Sequence, residues 1–243
     1  MSDIQGTTVT YGSNGDLQGY LAVDGANDQP RPGVLVIHEW WGLDEYIKRR
    51  ARMLADLGYV ALAVDMYGAG KVAQSADEAG SEMNAVLGDI PTAEARLDAA
   101  IETLRSHPMV DGQRIAAIGY CFGGAMVLHA ARTGRDLNGV VSFHGALGSF
   151  HTPAPGSVKA EILVCHGADD ALVPDEQIAA FKSEMETAEA KVQFEAYEGA
   201  LHGFTNPDAD ENGQKYGLPL AYDADIDNQS WQEMQEFFGR VLA

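Results

Sequence analysis

The chain has 243 residues, which suits one domain, residues 1–243, with a sizeable core. Apolar residues make up 46% and charged ones 21%, an ordinary globular composition that excludes disordered and fibrous classes. The 36 acidic residues against 16 Lys and Arg leave a net charge of −20, and so acidic a surface repels phosphate backbones and anionic lipid. Nucleic-acid and membrane partners are therefore not expected, and no stretch approaches the ~18 consecutive apolar residues of a membrane span. The start, Met1-Ser2-Asp3-Ile4-Gln5-Gly6, lacks the basic residues and apolar run of a secretory signal. With only Cys121 and Cys165, there is no disulfide framework, and a reducing cytoplasm fits best.

Thr7 to Tyr11 and Leu17 to Val23 alternate apolar and polar residues around Gly12-Ser13-Asn14-Gly15, which predicts an N-terminal β-hairpin. Asn27 to Pro32 is a polar turn, and Gly33 to Ile37 is a strand buried on both faces. Leu43 to Leu57 has helical spacing with Gly58 at the C-terminal cap position. Tyr59 to Val64 is a strand ending in Asp65-Met66-Tyr67-Gly68. Lys71 to Gly88, polar and alanine-rich, predicts an irregular helix over the site. Thr92 to Ser106 is helical, capped at Asp89 or Thr92.

Further strands fall at Ile115 to Ile118, Val140 to Phe143, Ile162 to Cys165 and Val192 to Tyr197. Helices are expected at Gly123 to Thr133, Pro174 to Thr187 and Ser230 to Leu242. Alternation of this kind predicts an α/β fold: a mostly parallel sheet of about eight strands, helices on both faces, and the antiparallel hairpin at its N-terminal edge.

Gly119-Tyr120-Cys121-Phe122-Gly123-Gly124 follows the strand Ile115 to Ile118 and opens the next helix. This is G-x-C-x-G in the strand–turn–helix setting of a nucleophile elbow. A nucleophile at the tip of so sharp a turn adopts strained backbone angles, and the flanking glycines avoid side-chain clashes. The helix N-terminus aims free N–H groups and its positive dipole end at the sulfur, favouring thiolate.

Ile162 to Cys165 runs into His166-Gly167-Ala168-Asp169-Asp170-Ala171-Leu172-Val173-Pro174. An acid on the loop after a later strand orients a catalytic histidine. Asp169 and Asp170 compete for that role, and the spacing G-x-x-D-x-x-V-P selects Asp170. His202, in the glycine-flanked loop after Val192 to Tyr197, completes the order nucleophile, acid, histidine.

His202 would take the thiol proton and later serve the leaving oxygen or a water, with Asp170 fixing its tautomer. Of the other histidines, His107 and His129 read as surface or helix-packing residues, His151 as a loop residue and His166 as structural. His144, at a strand end, is a candidate to line the substrate pocket. The loop His38-Glu39-Trp40-Trp41-Gly42 after Val34 to Ile37 should donate one oxyanion N–H, from Trp40, and Phe122 the other. Glu39, a carboxylate at a strand's C-terminal edge, faces the site.

His38-Glu39-Trp40-Trp41-Gly42-Leu43, Asp65-Met66-Tyr67-Gly68, the Cys121 elbow, and Gly167 to Pro174 with His202 together closely resemble the dienelactone hydrolase (carboxymethylenebutenolidase) family of α/β-hydrolases. The resemblance runs from about Gly12 to the C-terminus. It implies a Cys121–Asp170–His202 triad cleaving a small-molecule ester or lactone through an acyl-thioester. It also implies that Glu39 contacts the resting thiol and helps generate thiolate once substrate binds. Dienelactone-cleaving members bind the substrate carboxylate with arginines. The corresponding stretches here offer Asn206 after His202 and Lys71 after Tyr67-Gly68, and lysine does not replace a bidentate arginine. Tyr67, Lys71, His144 and Asn206 are thus the candidate pocket residues, and the segments 71–88 and 206–228 are candidates to cover the pocket.

Two other functions compete with hydrolysis. One is thiol-based redox or stress chemistry at Cys121, against which counts the lack of a nearby resolving cysteine, since Cys165 falls inside a strand. The other is a non-catalytic binding module. No cofactor is implied: a phosphate-cradling G-x-G-x-x-G does not follow the first strand, and no histidine–carboxylate spacing suggests zinc.

Overall fold

The alternating N-terminal segments form the expected hairpin. β1 (Ile4–Tyr11) pairs antiparallel with β2 (Leu17–Asp24) from Ile4 against Asp24 to Tyr11 against Leu17. The turn between them places Gly12 and Gly15 at positive φ. In the computed structural model, which describes residues 2–243, the chain divides into two compact units, meeting in sequence between Ile118 and Gly119.

In the first unit β3 (Arg31–Ile37) is buried because its run of branched apolar residues has no polar face to offer water. Its helix α1 (Glu45–Asp56) starts at Asp44, whose carboxylate accepts from the Ile47 amide at 3.0 Å, and buries Ile47, Ala51, Leu54 and Ala55 along one stripe. Gly58, at φ 95°, ends it where the glycine signal predicts. The fully buried β4 (Val60–Val64) lies parallel to β3 and antiparallel to β2.

The stretch expected to be an irregular helix is instead a regular one from Ala76: α2 (Ala76–Leu87). Ser75 accepts from the Glu78 amide, and the Glu78 carboxylate accepts from the Gln74 amide. That S-x-x-E signal lies in the sequence, hidden by the polar composition around it. α3 (Ile90–Arg105) is capped by Asp89 rather than Thr92, and β5 (Val110–Tyr120) extends well beyond its predicted core at both ends.

The second unit is built on α4 (Phe122–Arg132), every residue of which is buried. β6 (Gly139–Phe143), β7 (Glu161–Gly167) and β8 (Val192–Tyr197) run parallel, with α5 (Asp175–Thr187) between the last two. Two helices follow, α6 (Ala209–Tyr216) and α7 (Ala224–Val241). α6 was not predicted: only Ala209 and Gly213 of its eight residues are buried, so it shows no apolar stripe. α7 begins six residues before the expected Ser230, because Asp223 accepts from the Asp225 and Ile226 amides. The strand order is β1-β2-β4-β3-β5-β6-β7-β8 in one eight-stranded, mostly parallel sheet. No helix of the described residues is long and apolar enough to cross a membrane.

Candidate active site

Cys121 occupies the turn between β5 and α4 at φ 52° and ψ −115°, a region that costs a non-glycine residue about 1–3 kcal/mol. The turn tolerates this because its glycines let backbone meet backbone. A Cβ on Gly119 would lie 2.0 Å from the Gly123 carbonyl oxygen, and one on Gly124 would lie 2.6 Å from Ser142 Oγ. The Cys121 amide donates to the Phe143 carbonyl at 3.0 Å, tying the elbow to the end of β6. The thiol itself is partly exposed.

The β7–α5 turn separates the two competing acids. Asp169 points to solvent, whereas Asp170 is buried. Asp170 Oδ1 accepts from the Leu172 amide at 2.9 Å, and Oδ2 accepts from His202 Nδ1 at 2.8 Å. The acid loop is also hydrogen-bonded to the histidine loop, through Ala168 to the Tyr197 carbonyl and Asp169 to the Ala200 carbonyl. The segment after Asn206 braces the far side, since the Ala221 and Asp223 amides donate to the carbonyls of His202 and Phe204. Asp170 and His202 thus meet on loops whose backbones are already fixed.

His202 is buried, and burial by itself would lower its pKa. Its interaction with the Cys121 sulfur, followed by the hydrogen bond to Asp170, outweighs that and holds it well above the usual histidine range. The Cys121 sulfur also acts as a hydrogen-bond partner of the ring, although Nε2 is not aligned with it in strict hydrogen-bond geometry. Strong hydrogen bonding needs alignment, while electrostatic attraction between the ring and the sulfur acts with little regard to it. Two more histidines lie close by. His144 is fully buried, its ring 5.2 Å from that of His202 in an edge-on arrangement, and its Nε2 shares a 2.7 Å hydrogen bond with Thr205 Oγ1. His166, buried at the end of β7, packs 5.7 Å from the Phe194 ring and is driven by burial towards its neutral form.

Of the expected pocket residues in this unit, His144 therefore presents no accessible surface. Asn206 is also buried, and its side-chain oxygen accepts from the Asp208 amide at 3.0 Å, closing the turn into α6. Thr205 was not singled out from sequence, because a threonine beside a glycine-rich loop carries no chemical signature.

In the first unit, the loop after β3 is held from inside. His38 Nε2 accepts from the Met66 amide at 3.2 Å, so Nδ1 carries the proton and donates to the Glu39 carbonyl. Burial lowers the His38 pKa to about 4, which keeps the ring in this neutral tautomer. Gly42, at φ 93°, lets the loop close on the next one: a Cβ there would lie 2.2 Å from the Lys71 carbonyl oxygen. Leu43 and Ala73 exchange backbone bonds across the same junction with Lys71 and Trp41.

Glu39 is buried in this loop, and the Trp40 carbonyl accepts from Tyr67 Oη at 2.9 Å. Asp65 organises the loop after β4, its two oxygens accepting from the amides of Gln18, Tyr67, Gly68 and Gly70. Lys71 pairs with Glu82 of α2 and, at 3.5 Å, with Glu78. Among the described residues no group of three or more His, Cys, Asp or Glu is placed to hold a metal ion.

The model of the dienelactone hydrolase family matches residues 17–242. The chain belongs to the dienelactone hydrolase family. It is 38% identical to the crystal structure of a dienelactone hydrolase-like promiscuous phosphotriesterase from metagenomic libraries, covering 99% of both chains with a TM-score of 0.89. A putative carboxymethylenebutenolidase of Methylorubrum extorquens is 27% identical over 254 residues, which cover 96% of this chain and 84% of that protein. A putative dienelactone hydrolase from Klebsiella pneumoniae shares the fold at a TM-score of 0.81 and 24% identity, over 98% of this chain and 99% of that one. The chain is accordingly a hydrolase of the dienelactone hydrolase type, a carboxylic ester hydrolase whose family acts on small-molecule esters.

Proposed function

We propose that the chain hydrolyses a small, uncharged ester or lactone through a thioester on Cys121. The observation that carries this reading is the buried Asp170–His202 hydrogen bond of 2.8 Å, with the Cys121 sulfur interacting with the same imidazole. His202 Nε2 receives the Cys121 proton, and the sulfur attacks the ester carbonyl to form a C–S bond. The ester C–O bond then breaks, and the imidazolium protonates the departing alkoxide. A water activated by His202 cleaves the thioester, releasing the acid and restoring the thiol. Asp170 keeps Nδ1 as the donor and stabilises the imidazolium throughout.

The Phe122 amide, first in α4, is proposed as one donor to the tetrahedral oxyanion. On the family pattern, the Trp40 amide is the second donor, and Glu39 assists formation of the thiolate. Redox chemistry is disfavoured because Cys165 is wholly buried in β7 and cannot serve as an accessible resolving thiol.

The preference for uncharged substrate rests on the cations. The Lys71 ammonium is paired with two carboxylates and so is not a free cationic partner for a substrate carboxylate, and Asn206 carries no charge with which to supply one. The test is turnover of p-nitrophenyl acetate, neutral lactones, a dienelactone and an aryl dialkyl phosphate by wild type and Cys121→Ala. The phosphate triester is included because the 38%-identical relative is described as a promiscuous phosphotriesterase. Faster turnover of neutral esters than of dienelactone, abolished in Cys121→Ala, is the expected result. Activity that survives Cys121→Ala removes the mechanism, and a dominant dienelactone activity removes the substrate preference.

A further inference from the structure

The end of β6 touches both halves of the proposed chemistry. The Phe143 carbonyl accepts from the Cys121 amide at 3.0 Å, which fixes the elbow. The next residue, His144, turns through a left-handed conformation at φ 40° and donates its own amide to the Cys165 carbonyl at 2.8 Å. This strained turn aims the imidazole at the histidine loop. There it meets the His202 ring edge-on at 5.2 Å, packs 5.1 Å from the Phe204 ring, and shares its 2.7 Å hydrogen bond with Thr205. His144 and Thr205 are both fully buried, so water cannot replace the bond if either partner is removed.

We infer that His144 and Thr205 are positioning residues that lock the His202 loop in register with the Cys121 elbow, so that one dipeptide, Phe143-His144, sets nucleophile and base relative to each other. Asp170 alone leaves a gap in that geometry. It anchors Nδ1 at one corner of the imidazole, and a single bond there does not by itself stop the ring rocking about it. The His144 edge limits the rocking, and the Thr205 bond holds the chain three residues beyond His202. A misplacement of about 1 Å in a catalytic group costs up to about 100-fold in rate, so a lock of this kind acts on the chemical step rather than on substrate affinity.

This inference rests on the Cys121–His202 mechanism proposed above, and its test separates the two. Thr205→Val keeps the shape and deletes the hydroxyl, whereas Thr205→Ser keeps the hydroxyl. His144→Phe keeps an aromatic edge without the hydrogen bond. Each purified variant is checked for folding by circular dichroism, then assayed for ester turnover and for alkylation of Cys121 by iodoacetamide across pH.

The expected result is a kcat lowered about 10- to 100-fold in Thr205→Val and His144→Phe, at little-changed KM. The alkylation–pH profile should be displaced in both, and Thr205→Ser should return both quantities close to wild type. If Thr205→Val and His144→Phe fold and match wild type in kcat and in the alkylation profile, the positioning role is wrong although the triad stands. A rise in KM alone, or loss of activity not rescued by Thr205→Ser, also overturns it. If wild-type turnover does not depend on Cys121, the failure belongs to the underlying mechanism instead. Should His144→Phe not fold, the Thr205 pair decides alone.

Discussion

The two cysteines lie in contrasting surroundings within the second unit. Cys165 is in the middle of β7, fully buried, and burial drives its pKa far upward; a hydrogen bond with Tyr197 opposes this without outweighing it. Cys121 sits on a left-handed turn at a helix N-terminus, partly exposed and beside a histidine whose pKa is raised by interaction with its sulfur. Burial without an ionic partner makes a group inert, whereas burial beside an opposite charge makes an ion pair possible. The histidines repeat the contrast. His38, buried with backbone partners, titrates down at about 4, and His202, buried beside sulfur and carboxylate, stays high.

The largest expected effect tests the contrast directly. Cys121→Ala should lower kcat/KM at least about 1,000-fold, with an unfolding midpoint near that of wild type, because alanine keeps the Cβ and with it the same strained backbone. Equal losses in Cys165→Ala would break the comparison. Next, Asp170→Asn should cost about 100- to 10,000-fold in kcat, since an amide cannot hold the tautomer that donates from Nδ1. Asp169→Asn, on an exposed neighbour, should change it less than about 2-fold.

The third prediction concerns acid stability. His38 has a lowered folded pKa, so its stabilising contribution is present above the unfolded value near 6.5. It is lost as the pH falls from there towards 4, by roughly 3 kcal/mol in total. Urea titrations between pH 7 and 4 should show that limb in wild type and not in His38→Gln.

For His202 the sign is opposite: its contribution is complete below about pH 6.5 and fades as the pH rises through its raised folded value. Cys121→Ser removes the sulfur that raises the His202 pKa and should shift that fading to lower pH, read from the imidazole resonances by NMR. The smallest effect is Cys165→Ala, which should destabilise by about 1–2 kcal/mol through lost packing while leaving turnover within about 2-fold.

Much of this was legible in the residues. The α/β alternation and the hairpin follow from period-2 and buried apolar runs, and the choice of Asp170 over Asp169 as the partner of His202 from turn spacing; the role of Cys121 beside them is the proposal. The structure adds how these residues are held, and that part was not legible. α6 escaped because it buries only two small residues, and α2 was read as irregular because its capping pair lay among other polar residues. His144 read as a pocket residue because a histidine at a strand end often faces ligand. Its left-handed backbone turns it inward to Thr205 instead, and no local pattern announces a contact with a residue 61 positions away.

The most direct test of the central claim is intact-protein mass spectrometry of wild type quenched with acid during steady-state turnover of p-nitrophenyl acetate. A mass increase of one acetyl group, mapped to Cys121 and absent from Cys121→Ala, is the predicted result. Turnover at an undiminished rate with no acyl adduct on Cys121, or with an adduct on another residue, would contradict it.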